Sequence, residues 1–137
     1  MKVSKQIKML KIAFWIGAIT DALASVIMIF PKLGAYFFRH ENVEITPEYR
    51  YALGMGAALM VGWTVLLIWG SLKPLERKGI LVITVFPVIS GIVLAQIYAV
   101  SCEYIALNNM IPIWIHLTVI SSYFLFTYFK SNKLNNI

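Results

Sequence analysis

Charged side chains are scarce in this chain. They make up 13% of its 137 residues, against 60% that are hydrophobic. Ordinary soluble domains carry about 25% charged and about 45–50% apolar residues. A fold this short has too much surface for its volume to hide so many apolar groups. A domain surrounded by water is therefore excluded, and lipid must cover part of the chain. Cysteine is scarcer still. The single Cys102 excludes an intramolecular disulfide and a cysteine-based metal site. It reads as a small residue near a membrane interface. Histidine occurs twice, as His40 and His116, which is not a ligand set for zinc or haem. No metal and no cofactor is expected. Walker loops, Gly-x-Ser-x-Gly, His-Glu-x-x-His and dinucleotide fingerprints are also missing. The reading therefore leans away from an enzyme.

What is present are four long apolar runs: 12–30, 51–72, 79–101 and 111–129. Asp21 is the one charged residue inside them. About 20 residues at 1.5 Å each cross a hydrocarbon core of about 30 Å. Each run is long enough to span. Inside lipid, a helix satisfies all of its own backbone groups, and continuous apolar runs do not suit a β-barrel. The fold class expected is all-α, an integral membrane four-helix bundle forming a single domain over 1–137. The Lys-rich start followed by Ala22-Leu23-Ala24 imitates a cleavable signal peptide. The apolar run continues past it to Phe30, which favours an uncleaved first helix.

The net charge of +6 has a placement that excludes nucleic acid. Basic residues stand at the ends of the apolar runs, with no single basic face. Lys2, Lys5, Lys8, Lys11, Lys73, Arg77, Lys78, Lys130 and Lys133 fall on one side, and Lys32, Arg39 and Arg50 on the other. The excess of positive charge predicts that both termini and the middle turn are cytoplasmic, with the chain in the cell membrane. Anionic lipid headgroups at that basic side are the expected partners. The six-residue middle turn makes the second and third helices antiparallel neighbours. The first opposite-side loop, with Tyr36, Phe37, Phe38 and His40, reads as an interfacial segment or as a lid over the bundle.

Small residues recur at four-residue steps. They are Ala13, Gly17, Asp21 and Ser25 in the first helix, Gly54, Ala58 and Gly62 with Gly70 in the second, and Pro87, Gly91, Ala95 and Ala99 in the third. Such stripes let membrane helices approach closely. Pro87 removes a backbone donor and predicts a kink, with Thr84 or Ser90 placed to satisfy freed groups.

Asp21 is the most informative residue. It lies about 15 Å along its helix from Lys11, where an aspartate costs about 2.5–3.5 kcal/mol on insertion scales. It is expected to face the bundle interior on the stripe of Gly17. It reads as a proton carrier, an amine or cation site, a catalytic carboxylate, or a protonated group bonded to a neighbouring helix. Gln96 and His116 each sit about five residues inside their helices, at a shared level on the side opposite the termini. Together they predict a ligand- or proton-binding pocket floored by Asp21 and walled by Gln96 and His116. Thr20, Tyr98, Thr118 and Ser121 are candidates to join it. Cys102, Glu103 and Tyr104 are candidates for its rim.

The stretch Gly62-Trp63-Thr64-Val65-Leu66-Leu67-Ile68-Trp69, followed by Lys73-Pro74-Leu75-Glu76-Arg77, resembles small uncharacterised four-helix proteins of bacteria and archaea. In size and layout the chain is similar to DoxX-like membrane proteins, a likeness that implies no established site. An acid in the first of four short helices also resembles small multidrug-resistance exporters, where it implies a carboxylate shared by substrate and proton. The 20-residue first loop and the nine-to-three charge bias depart from that group. Three functions follow. One is binding of a small or lipid-like ligand. Another is proton-coupled transport through Asp21, requiring a homodimer. The third is catalysis on a lipophilic substrate with Asp21 and His116 as acid and base.

Overall fold

The structure is a computed structural model and describes residues 2–37 and 44–132. Helix α1 spans Lys2–Ile29, α2 Pro31–Phe37, α3 Pro47–Leu72, α4 Gly79–Ile83, α5 Ser90–Ser101 and α6 Leu107–Asn132. The segment Thr84–Ile89, between α4 and α5, is a kink that joins the two helices. No strand occurs among the described residues. Among the described residues four helical stretches are long and apolar enough to cross a membrane: Val3–Ile29, Pro47–Leu72, Gly79–Ser101 and Leu107–Asn132. The protein is thus an all-α bundle with the character of a multi-pass membrane protein. Part of the first loop, with Phe38, Arg39 and His40, lies outside the described residues, as does Lys133.

Three of the helices run past the apolar stretches that announce them. Helix α1 starts at Lys2, not near residue 12, and carries the lysine-rich segment on its first turns. Hydropathy marks the part of a helix that meets hydrocarbon, whereas backbone hydrogen bonding continues into the polar layer. Helix α3 starts at Pro47 because its cap is built there. The Thr46 side chain accepts the Tyr49 N–H at 3.2 Å, and Pro47 and Glu48 occupy the first turn. A Thr cap, an early proline and an early acid each suit a helix N-terminus. Between α1 and α3 the chain forms the short helix α2, which folds back on α1. A Cβ at Gly34 would lie 3.3 Å from Ile27.

The kink forms where proline demands it. Phe86 leaves helical geometry at φ −123 and ψ 108. Ser90 Oγ donates to the Pro87 carbonyl at 3.2 Å and Thr84 Oγ1 to the Ile80 carbonyl at 2.8 Å. Both hydroxyls bond within the bend, at carbonyls other than Ile83, the one four residues before the proline.

The two ends of the bundle differ. One end, here the basic end, gathers the start of α1, the end of α3, the start of α4 and the end of α6. Leu10, Phe14, Leu67, Leu81 and Phe124 are wholly buried there. Gly70 admits the Phe14 ring so closely that a Cβ would lie 2.5 Å from it. Gly17 lets Leu67 and Phe124 close over α1, each 3.1 Å from where a Cβ would be. Polar bonds tie the same end. Gln6 Nε2 donates to the Lys130 carbonyl at 3.2 Å, and Tyr123 Oη to the Met9 carbonyl at 3.4 Å. In the turn after α3, the Arg77 guanidinium lies 3.4 Å over the Trp69 ring and donates to the Trp69 carbonyl at 2.6 Å. At the other end, here the loop end, α5 contributes no buried residue.

This arrangement corrects two of the small-residue stripes. The first works as expected, with Ala13, Gly17 and Ser25 buried. Gly54, Ala58 and Gly62 face outward, and a Cβ at Gly54 or Gly62 would meet nothing within 4 Å. Gly91 and Ala95 are exposed too. Of that stripe Gly70 alone packs as expected, and the rest of the buried contact of α3 runs through Ala57, Leu67 and Ser71. Small size permits close approach without choosing which face is approached.

Candidate functional site

The open loop half encloses a cavity of about 230 Å³. Helix α1 supplies one wall. Gly17, Thr20, Asp21, Ala24 and Met28 all line the cavity, at the steps of three and four that share a helix face. Helix α6 supplies the facing wall through Ile113, His116, Leu117, Ile120 and Phe124, again at helical spacing. The bent third span adds Thr84, Val88, Ile92 and Gln96, and α3 adds Met60. All three residues singled out in the sequence, Asp21, Gln96 and His116, therefore border one space. The floor differs from expectation. Gly17 and Phe124 close the cavity one turn below Asp21, which makes Asp21 part of the wall.

Each polar side chain has a distinct state. Asp21 is half-buried, and its Oδ2 is buried with no hydrogen-bond partner among the described residues. A buried acceptor without a donor costs about 1–3 kcal/mol. Gln96 is held in place, because its Oε1 accepts the Trp114 indole N–H at 2.9 Å. An indole nitrogen can only donate. The amide is therefore held with its oxygen toward Trp114, and its NH₂ remains as a donor. His116 is exposed although it lines the cavity.

A second polar link supports the wall nearer the floor. Trp63 Nε1 donates to Thr84 Oγ1 at 3.1 Å, and that hydroxyl donates onward to Ile80. This joins α3 to the third span where the span begins to bend. Apart from Thr20 the rest of the lining is apolar, and its two methionines, Met28 and Met60, are soft and adaptable. The space can thus hold a compact group that donates hydrogen bonds to a carboxylate and otherwise presents apolar surface. The volume equals roughly eight water molecules at about 30 Å³ each. Pockets for drug-sized ligands run to about 300–1,000 Å³. A larger groove, about 580 Å³, lies open on the outer face of α1 and α3, with Arg50 as its one charged side chain.

Of the residues expected to join the network, Thr20 does line the cavity, with its hydroxyl donated to the Ile16 carbonyl at 2.9 Å. Tyr98 is 72% exposed, and Thr118 lines a shallow surface groove beside Trp114. Ser121 is half-buried and does not line the cavity. Cys102, Glu103 and Tyr104 are exposed at the α5–α6 turn and form no rim. Tyr104 instead bonds Tyr49 at the start of α3. Sequence reasoning missed Met28 and Met60 as lining, and Trp63 and Trp114 as the donors that hold Thr84 and Gln96. Met28 was within reach, since it follows Asp21 by seven residues, two turns along the same face. The tryptophan contacts join separate helices and leave no local signal.

Among the described residues no group of three or more His, Cys, Asp or Glu is placed to hold a metal ion. Compared with family models, curated proteins and solved structures, the chain has no match, so the DoxX-like resemblance rests on size and layout alone.

Proposed function

We propose that this is a ligand-binding protein of the cell membrane, holding a small or lipid-like molecule in the loop half of its bundle. The observation that carries the reading is the buried Asp21 Oδ2 without a partner, placed on an apolar cavity beside Gln96 and His116. A fold keeps such a group against its insertion cost when something else uses it. Asp21 supplies the acceptor, Gln96 a fixed amide, and His116 a group that both donates and accepts. In this reading both termini are cytoplasmic, by the nine-to-three bias of basic residues. The basic end then meets anionic headgroups, and the cavity lies in the outer half of the membrane.

Proton-coupled transport through Asp21 is the rival. The layer of Gly17, Leu67 and Phe124 beneath the cavity favours a binding site closed toward the basic end over a path through the bundle. Catalysis by Asp21 and His116 is the third reading, and their place on one cavity is what supports it. Native mass spectrometry of protein taken from its own membrane in mild detergent tests the binding reading. The expected result is a small-molecule adduct on the wild type that Asp21→Leu loses while still folding. An adduct of equal occupancy on both proteins would remove the role given to Asp21.

A further inference from the structure

We infer that the cavity opens sideways into the bilayer, through the seam between α1 and α6, and admits the head of a single-chain amphiphile whose tail stays in the lipid. The inference rests on the ligand-binding reading and adds the route and the class of ligand. The seam can be traced by register. At the basic end it is closed by Tyr123 Oη bonded to the Met9 carbonyl. On α6, His116 precedes Tyr123 by seven residues, two turns along the same edge. On α1, Thr20 follows Met9 by eleven residues, three turns along the same edge. Thr20 and His116 therefore flank the same seam above its closed part, and both line the cavity.

Exposure and depth supply the rest. His116 is exposed while bordering the cavity, so the wall is incomplete at that point. It lies nine residues from Leu107, about 14 Å into α6 by helical rise, within a hydrocarbon core of about 30 Å. An opening at that depth faces acyl chains. Thr20 gives its hydroxyl to its own helix, at Ile16, so no bond between helices bars the gap at that residue.

Size and chemistry then define the guest. A volume of about 230 Å³ takes a head of a few heavy atoms and not a whole lipid. A long molecule binds there by leaving its chain in the seam and the bilayer. The unpartnered acceptor on Asp21 selects a head that donates hydrogen bonds. A primary amine meets that need best, since an ammonium also answers the carboxylate charge.

The test uses the full chain in phosphatidylcholine nanodiscs with butylamine, hexadecylamine and hexadecanoic acid as probes, read by native mass spectrometry. Hexadecylamine is expected to bind once per chain, ahead of hexadecanoic acid, and Asp21→Leu to weaken it about tenfold or more. Thr20→Phe narrows the seam. It is expected to weaken hexadecylamine by about tenfold or more, and butylamine by less than about threefold. Ile16→Trp, seven residues after Met9 on the same edge of α1 and outside the cavity lining, narrows the seam likewise and serves if Thr20→Phe does not fold. Butylamine bound through Asp21, with hexadecylamine excluded, would mean a closed cavity. It would overturn the portal and leave the ligand-binding reading standing. Equal loss of both amines in the seam variants would likewise overturn the portal. Preference for hexadecanoic acid would overturn the choice of head. Binding of no probe would overturn this inference, and the reading beneath it would then rest on the native adduct alone.

Discussion

The basic half and the loop half of this bundle share the same four apolar spans and pack in different ways. At the basic end Phe14, Leu67, Leu81 and Phe124 interlock without exposure, and Gly70 lies flat against the Phe14 ring. At the loop end Leu94 is 68% and Tyr98 72% exposed, and α5 buries nothing. In water such a half would collapse, because exposed apolar surface is costly. In a bilayer the tails are as apolar as leucine, so helices associate through shape and polar contacts and not through hydrophobicity. Close fit therefore marks where the protein holds itself together. The looser half is free to keep a cavity and an unsatisfied acid.

Four substitutions would break or sharpen that contrast. Phe14→Ala carries the largest expected effect, since it empties the centre of the packed half. Truncating a buried phenylalanine costs about 3–5 kcal/mol, and unfolding in detergent should shift accordingly. Gly70→Ala comes next. Its Cβ would stand 2.5 Å from the Phe14 ring, and overpacking of this kind costs about 1–3 kcal/mol, read as a lower melting temperature. Asp21→Asn should act in the opposite direction. Because Oδ2 has no partner among the described residues, removing the charge should leave stability unchanged or raise it by about 1 kcal/mol. A clear loss in the same melt would make Asp21 a structural member of a buried network. Gly62→Ala should be the mildest. Nothing lies within 4 Å of its added Cβ, so a change within about 0.5 kcal/mol, or a slight gain from helix propensity, is expected. A large loss there would show that the outward stripe of α3 is covered by protein after all.

Much of the molecule was legible residue by residue. Apolar runs predicted four membrane-length helices because the length of lipid to be crossed is set from outside the chain. Pro87 predicted its kink because a missing N–H acts locally. Asp21 announced itself because a charge in hydrocarbon is expensive wherever its helix packs. Other features were hidden. The floor of Gly17 and Phe124, the Trp114–Gln96 and Trp63–Thr84 bonds, and the outward turn of Gly54, Ala58, Gly62, Gly91 and Ala95 each depend on how helices rotate against one another. Residues far apart in sequence meet there, and periodicity along one helix says nothing about its neighbour's phase.

By itself the sequence determined that these helices form, roughly where they end, and that three polar residues sit inside an apolar zone. Composition and backbone hydrogen bonding are properties of single segments, and they suffice for that. Tertiary structure alone decided that Asp21, Gln96 and His116 border one cavity, that one end of the bundle is locked and the other open, and that His116 stands at a gap. Those outcomes follow from the close approach allowed at Gly17 and Gly70 and from the bend at Phe86, which together set the angles at which four similar helices meet.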